Sequence, residues 1–228
     1  MTQVTYYGHS CFMVETKGKK LLFDPFITPN SLANEINFNE ILCDFIFVSH
    51  GHEDHCADLE ALAKKTKATV IGSWELHSWL NNKNINTTHP MNLGGKRDFD
   101  FGNVKMVYAA HSNSLPDGTY GGTAAGYVIK NDEICFYYAG DTALTNDMNL
   151  IGEMYKLDFA FLPIGSNFTM DASDAAIASK FINCKNIIGM HYDTFGYIKI
   201  DHNEAINEFA KNNSKLTLMK IGETIKIK

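Results

Sequence analysis

The feature that most constrains this chain is a junction. A compact apolar run, Phe45-Ile46-Phe47-Val48, passes at once into Ser49-His50-Gly51-His52-Glu53-Asp54-His55. Four consecutive apolar residues suit a strand buried on both faces of a sheet. Any fold for this sequence must therefore bring a buried strand to its end and deliver three imidazoles and a carboxylate there. Imidazole nitrogen is the commonest metal ligand and a carboxylate its usual oxygen partner. In an extended stretch side chains repeat every two residues, so His50 and His52 can point the same way. Asp54 and His55 follow a turn and can face a second centre, and Gly51 frees the backbone to wrap closely. The alternative, a solvated histidine-rich loop, fits poorly with a position directly after a buried strand.

One segment cannot fill two centres, so further donors are expected. Three stand at the same kind of place, the end of an expected strand: His111 after Val107-Tyr108-Ala109-Ala110, Asp141 after Phe136-Tyr137-Tyr138-Ala139-Gly140, and His191 after Ile187-Ile188-Gly189-Met190. Sheet proteins gather their sites at strand ends. The expected metal set is thus His50, His52, Asp54, His55, His111, Asp141 and His191.

The rest of the chain reads as one domain over residues 1–228, without low-complexity stretches or a Pro/Gly/Ser-rich linker. Strands are expected at 4–7, 11–15, 20–23, 45–48, 68–71, 96–101, 104–110, 124–129, 134–139, 159–162, 186–190, 216–220 and 224–227. Helices are expected at 58–65, 73–80 with Ser73 as N-cap, 146–155, 171–181 and 203–211. Helices separating strands in both halves point to an α/β (α+β) chain with two mixed sheets and helices outside, a four-layer αββα sandwich. No run approaches the ~18 apolar residues of a membrane span, and the N-terminus lacks the pattern of a signal peptide. Five scattered cysteines with no C-x-x-C pair suit reduced, buried thiols, so a cytoplasmic location is expected.

The His-x-His-x-Asp-His segment, the later His111, Gly140-Asp141-Thr142 and His191 together resemble the metallo-β-lactamase superfamily, over essentially the whole chain. Gly8-His9-Ser10-Cys11, Pro163-Ile164-Gly165 with Phe168-Thr169-Met170, and His191-Tyr192-Asp193-Thr194-Phe195 resemble, more narrowly, a bacterial branch of metal-dependent hydrolases related to ascorbate-6-phosphate lactonase. The resemblance implies that His50, His52 and His111 form one metal site and Asp54, His55 and His191 a second, with Asp141 bridging. The main zinc β-lactamases carry cysteine at the bridging position, so Asp141 disfavours antibiotic hydrolysis. It also implies that His9 lines the active site.

Two cations roughly 3.5–4 Å apart can share a water and lower its pKa toward neutrality, making a nucleophile for a carbonyl or phosphoryl centre. Asp54 is the candidate to orient that nucleophile or take its proton. No Gly-x-Ser-x-Gly, P-loop or Rossmann fingerprint competes with this chemistry. Asp24 and Asp58 are candidates to hold the free ring nitrogens of ligand histidines, or else to serve a turn and a helix cap. His9 and Tyr192 are candidate catalytic groups, and Thr194 and Asn167 candidate substrate contacts, or else His9 serves a structural turn and Tyr192 and Thr194 serve core packing or a turn. The polar loop 112–122 is a candidate substrate loop. Cys56 reads as a small buried hydrophobe rather than a thiolate ligand, and His77, His89 and His202 as surface or structural residues.

The expected activity is hydrolysis of a small ester, lactone or phosphoester. Five imidazoles and two carboxylates suit two divalent ions, zinc first, with manganese or iron as alternatives. A net charge of −6 and a single arginine, Arg97, argue against a nucleic-acid partner and against arginine clamps on phosphate. A small-molecule substrate is expected, with a homo-oligomer left open. The competing readings are a di-iron redox protein, against which His52 counts because that branch usually carries glutamate there, and a non-catalytic metal-binding protein.

Overall fold

A computed structural model describes residues 2–227. Its elements run, in chain order, β1 (Thr2–Gly8), β2 (Cys11–Thr16), β3 (Lys19–Phe23), β4 (Phe45–Phe47), α1 (Glu53–Cys56), α2 (Leu59–Thr66), β5 (Thr69–Ser73), α3 (Trp74–Asn82) and β6 (Thr88–Met91). They continue with β7 (Lys96–Phe99), β8 (Gly102–Tyr108), β9 (Ala125–Lys130), β10 (Cys135–Tyr138), α4 (Asp147–Met154), β11 (Phe159–Pro163), α5 (Ala172–Phe181), β12 (Asn186–Met190), α6 (His202–Lys211), β13 (Lys215–Thr217) and β14 (Thr224–Ile227). Two seven-stranded mixed sheets result, ordered β14-β1-β2-β3-β4-β5-β6 and β13-β12-β11-β10-β9-β8-β7.

The layering follows from alternation. In β3 and β4, Leu21, Phe23 and Phe47 join the apolar cluster between the sheets, while Leu22 and Ile46 face the other way and pack with Leu59, Leu62, Leu76 and Leu80 of α2 and α3. The interior between the sheets is largely aromatic. Phe23 stacks on Tyr138 at 4.6 Å, Phe12 meets Phe161 at 4.5 Å, and Phe47 meets Tyr127 at 5.2 Å. Helices α5 and α6 pack on the outside of the second sheet. The four-layer αββα sandwich expected from the order of elements is the architecture found.

Three details differ from expectation. Strand β6 is new: Thr88-His89-Pro90-Met91 is polar and contains proline, which an edge strand tolerates because no ladder bond is lost there. The final turn of the histidine-rich segment is helical, as α1. Strand β13 stops at Thr217 rather than Lys220.

Strand direction places the site. In the first sheet β1 and β2 are antiparallel, β2 and β3 antiparallel, and β3 and β4 parallel, so β1, β3 and β4 all end at one edge. In the second sheet the same parity puts the C-terminal ends of β8, β10, β11 and β12 together. The sheets are tied at that edge by hydrogen bonds from Tyr127 Oη to Val48 O, Tyr138 Oη to Ser10 O, Ala125 N to Ser49 O and His191 N to His9 O.

Candidate metal centre

Every donor leaves one of these strand ends. His9 follows β1, Asp24 follows β3, His50 and His52 follow β4, and Asp54 and His55 ride on α1. His111, Asp141 and His191 follow β8, β10 and β12. The local backbone is bent sharply to achieve this: His9, Asp24 and His191 are left-handed, at φ of +55°, +42° and +57°. Left-handed geometry costs a residue with a Cβ about 1–2 kcal/mol, and such strain is characteristic of functional turns. Gly140 (φ +62°) leaves room for Ser49, whose Cβ would lie 2.7 Å from an added methyl. Gly51 serves a close approach rather than a special φ, because a Cβ there would lie 2.7 Å from Ser114 O and 2.8 Å from Leu115 Cδ2.

Two donor groups form. His50, His52 and His111 bring ring nitrogens within 4.8 Å of one another, and so do His9, His55 and His191 with a carboxylate oxygen of Asp54. Asp141 Oδ2 stands between the groups, 2.9 Å from His191 Nε2, 3.3 Å from His55 Nε2 and 3.6 Å from His111 Nε2.

Hydrogen-bond direction fixes the ring tautomers. Asp24 is fully buried, and its Oδ2 accepts from Ser49 Oγ and Tyr138 Oη and pairs with His55 Nδ1 at 2.8 Å. A carboxylate only accepts, so a proton sits on His55 Nδ1, and Nε2 is the nitrogen left to ligate once the ring is neutral. Ser49 spends its hydroxyl proton on Asp24 and therefore accepts from His50 Nδ1 at 2.9 Å, which leaves His50 Nε2 as an acceptor, here taking the proton of His52 Nδ1 at 3.0 Å. One carboxylate thus aims a histidine of each group, the usual outer support of a metal ligand. His55 Nε2 and Asp141 Oδ1 are buried without a hydrogen-bond partner. Leaving such atoms unpaired costs about 1–3 kcal/mol each, and divalent cations would satisfy both. The donor set fits such ions.

The electrostatics divide the groups. Burial, joined by the neighbouring His55, pushes His50 well below the ordinary histidine range, and burial lowers His52 and His111 too. Burial acts the same way on His55 and His191, but there the carboxylates win. Asp141, Asp24 and Asp54 hold His55 well above the ordinary range, and Asp141 and Asp54 raise His191 to about 9. Burial and His191 bring His9 down to about 4. Asp54 is held below the ordinary carboxylate range, with burial opposing and His55 foremost among the cationic neighbours that prevail.

A cleft of about 310 Å³ opens over the centre, lined by His52, Asp54, His111, Ser112, Asp141, Phe168 and His191. Other expected residues lie elsewhere. Tyr192 turns away from the cleft, borders a separate cavity of about 370 Å³ and interacts with Tyr6; the left-handed His191 beside it redirects the chain. Thr194 borders the same cavity and holds His9 Nδ1 through its hydroxyl at 2.9 Å. Asn167 is an exposed, left-handed turn residue that does not line the cleft. Asp58 touches no ligand and makes no side-chain cap; it accepts from Ile27 N, Thr28 N and Thr28 Oγ1 and pins the 27–28 loop. His9 Nε2 lies 3.1 Å from Asp54 Oδ2, among the donors. Cys56 donates to the carbonyls of Gly51 and His52, which clamps the ligand loop. From the 112–122 loop, Ser112 reaches the cleft and Asn113 Oδ1 accepts from Gly51 N. Phe168, which enters the sequence reading only within the Phe168-Thr169-Met170 motif, is also a cleft residue, marked by its exposure in a chain whose other phenylalanines are mostly buried.

A family model described as a beta-lactamase superfamily domain matches residues 3–191. A protein called a UPF0173 metal-dependent hydrolase, from Flavobacterium johnsoniae, is 50% identical over 225 residues, covering 99% of this chain and 100% of its own. The chain belongs to this family. Another member, from Methylacidiphilum infernorum, is 47% identical over 98% of this chain and 99% of its own. Among solved structures, the metallo hydrolase Igni18 from Ignicoccus hospitalis superposes with a TM-score of 0.89 at 33% identity, covering 98% of this chain and 97% of that one. Members of the UPF0173 family thus match this chain end to end, the strand ends that carry the donors included.

Proposed function

We propose that this chain is a hydrolase that holds two divalent cations, zinc first and manganese or iron as alternatives, and cleaves a small ester, lactone or phosphoester. The observation that carries the reading is the place of Asp141 Oδ2, within 3.6 Å of ring nitrogens from both donor groups. His50, His52 and His111 would hold one ion, Asp54, His55 and His191 the other, with Asp141 shared. The name of the family, metal-dependent hydrolase, points the same way.

Bound ions would supply Lewis acidity, activating water and polarising the oxygen of the bond under attack. The chain's own residues do the rest. The contacts of the Asp54 carboxylate run through Oδ2, toward His9, His55 and His191. That leaves Oδ1 to orient an attacking water and accept its proton. Asp54 is the right carboxylate for this, since a quarter of its side chain is exposed to the cleft whereas Asp141 is almost fully buried. His9 holds Asp54 in place, and Thr194 holds His9. Asp24 keeps His55 and, through Ser49, His50 in the ligating tautomer. Ser112 lines the rim, where its hydroxyl can donate to a substrate oxygen.

The test is a screen of the metal-loaded chain against small esters, lactones and phosphodiesters, beside an Asp141→Ala variant. Turnover that depends on metal and disappears in the variant supports the reading. A wild-type chain carrying two ions yet hydrolysing no member of the three classes would contradict it.

A further inference from the structure

The rim of the cleft carries an apolar feature that the metal chemistry does not use. Phe168 lines the cleft with the donors and is 51% exposed. Its ring meets Tyr197, at 6.3 Å and 74°, and Tyr197 is 79% exposed. Single exposed aromatics are ordinary on a protein surface, so position and support must make the argument.

Both rings stand on turns that are rigid at the base. Phe168 follows two left-handed residues, Ser166 (φ +64°) and Asn167 (φ +57°), a costly way to present a phenyl group to water. That turn closes on itself through Ser166 N to Met170 O, and Met170 N donates to Thr142 O, one residue beyond Asp141. Tyr197 lies in a 3-10 turn, Gly196–Ile198, pinned by the fully buried Ile198 and by Asp193 N donating to Ile198 O. The backbone under each aromatic is therefore tied to a donor-bearing loop, Phe168 to that of Asp141 and Tyr197 to that of His191.

The charges nearby set what can lie on these rings. Among the described residues, no lysine or arginine lines the cleft. The one arginine, Arg97, is in β7, the far edge strand of the second sheet. Beyond Tyr197 the next cavity is walled by Asp171, Asp201, Glu204 and Glu208 against a single Lys199. A phosphorylated tail would find no cationic side chain at the wall and four carboxylates past the rim. An uncharged apolar group would find two aromatic faces.

We propose that Phe168 and Tyr197 form a platform that receives the apolar substituent of a neutral ester or lactone, and so set the specificity of the centre away from phosphorylated substrates. This rests on the hydrolase reading for the words ester and lactone, but the platform itself is testable by binding alone.

The experiment titrates the metal-loaded full-length chain with acetate and with phenylacetate, two acids of the kind ester cleavage releases, and with inorganic phosphate. Phenylacetate should bind about tenfold more tightly than acetate, and phosphate should gain nothing from the platform. Phe168→Ala should bring the two acids within about twofold, Tyr197→Ala should remove part of the preference, and Phe168→Leu should keep part of it. Metal content measured on each variant separates loss of the platform from loss of the centre. Equal binding of the two acids by wild type, no binding of either, or a preference that survives in the Phe168→Ala, Tyr197→Ala double variant would overturn the proposal. So would sedimentation showing that Phe168→Ala dissociates an oligomer while the preference stays, because the rings would then be an interface between copies. Turnover in the ester, lactone and phosphodiester screen, with methyl phenylacetate among the esters, reports separately on the hydrolase reading: a tenfold binding preference with no turnover in any class keeps the platform and sinks the hydrolase.

Discussion

His50, His52 and His111 form a group of three imidazoles whose protonated form burial disfavours, two of them partly open to the cleft, with the shared Asp141 as the carboxylate nearest His111, at 3.6 Å. His55 and His191 are buried among Asp24, Asp54 and Asp141, with the His9 ring tilted against that of His191, centroids 4.2 Å apart. The contrast teaches that the two halves of the site solve different problems. The first offers soft lone pairs at low electrostatic cost and easy access. The second concentrates negative charge where a cation must be held away from water, and it needs outer support to keep so many ionisable groups in register. Asp141 joins the two, and Asp24 supports both from behind.

The largest effect should come from cutting the join. Asp141→Ala is expected to lower metal content from about two ions per chain to about one and hydrolysis by on the order of a hundredfold or more, with the fold intact by circular dichroism. Elemental mass spectrometry and turnover on the same sample check this, and unchanged content would break the bridge. Next is the shared support. Asp24→Asn strands Ser49, Tyr138 and His55 in the interior, which should cost about 3 kcal/mol of stability and weaken metal binding roughly 10–100-fold. Denaturant melts and metal titrations should show both groups weakened together; damage confined to His55 would mean that Ser49 does not carry the effect to His50.

How far this contrast could be read from sequence depended on locality. The first group was half visible because His50 and His52 are two residues apart at the end of an apolar strand. Strands β12 and β14 also have the bounds their patterns suggest, since β-branched runs flanked by turn residues announce themselves. Residues adjacent to a ligand are harder to place from sequence. Tyr192 and Thr194 sit next to His191, yet left-handed geometry at His191 and Asp193 points them into another cavity. The pairing of Thr194 with His9 spans 185 residues and depends on two sheets meeting, which no local pattern encodes. Asp58 was read as a cap or a support because both use a carboxylate near a helix start, and only the path of the 27–28 loop decides between such roles.

A smaller effect sharpens the electrostatic side. With His55 and His191 raised by their carboxylates, both are protonated in the metal-free chain at neutral pH and must lose protons to ligate. Affinity of the second group should therefore climb as pH rises toward about 9, the value for His191. The first group, lowered below its ordinary value, should bind with little pH dependence from neutrality upward. Calorimetry in buffers of different ionisation enthalpy reads the released protons, and equal release from the two groups would erase the distinction. The smallest effect is expected from Thr194→Val, which removes the partner of His9 Nδ1. It should weaken only the second group, by roughly tenfold at most, as seen in competition with a chelator; weakening of the first group would show that His9 supports more than Asp54.

The most direct test of a two-group centre is calorimetric titration of the metal-free chain with zinc, in wild type, His52→Ala and His191→Ala. The account predicts two binding events totalling about two ions per chain in wild type, with the weaker event lost in His52→Ala and the tighter, proton-releasing one lost in His191→Ala. A single event of one ion in wild type, abolished equally by either substitution, would contradict it.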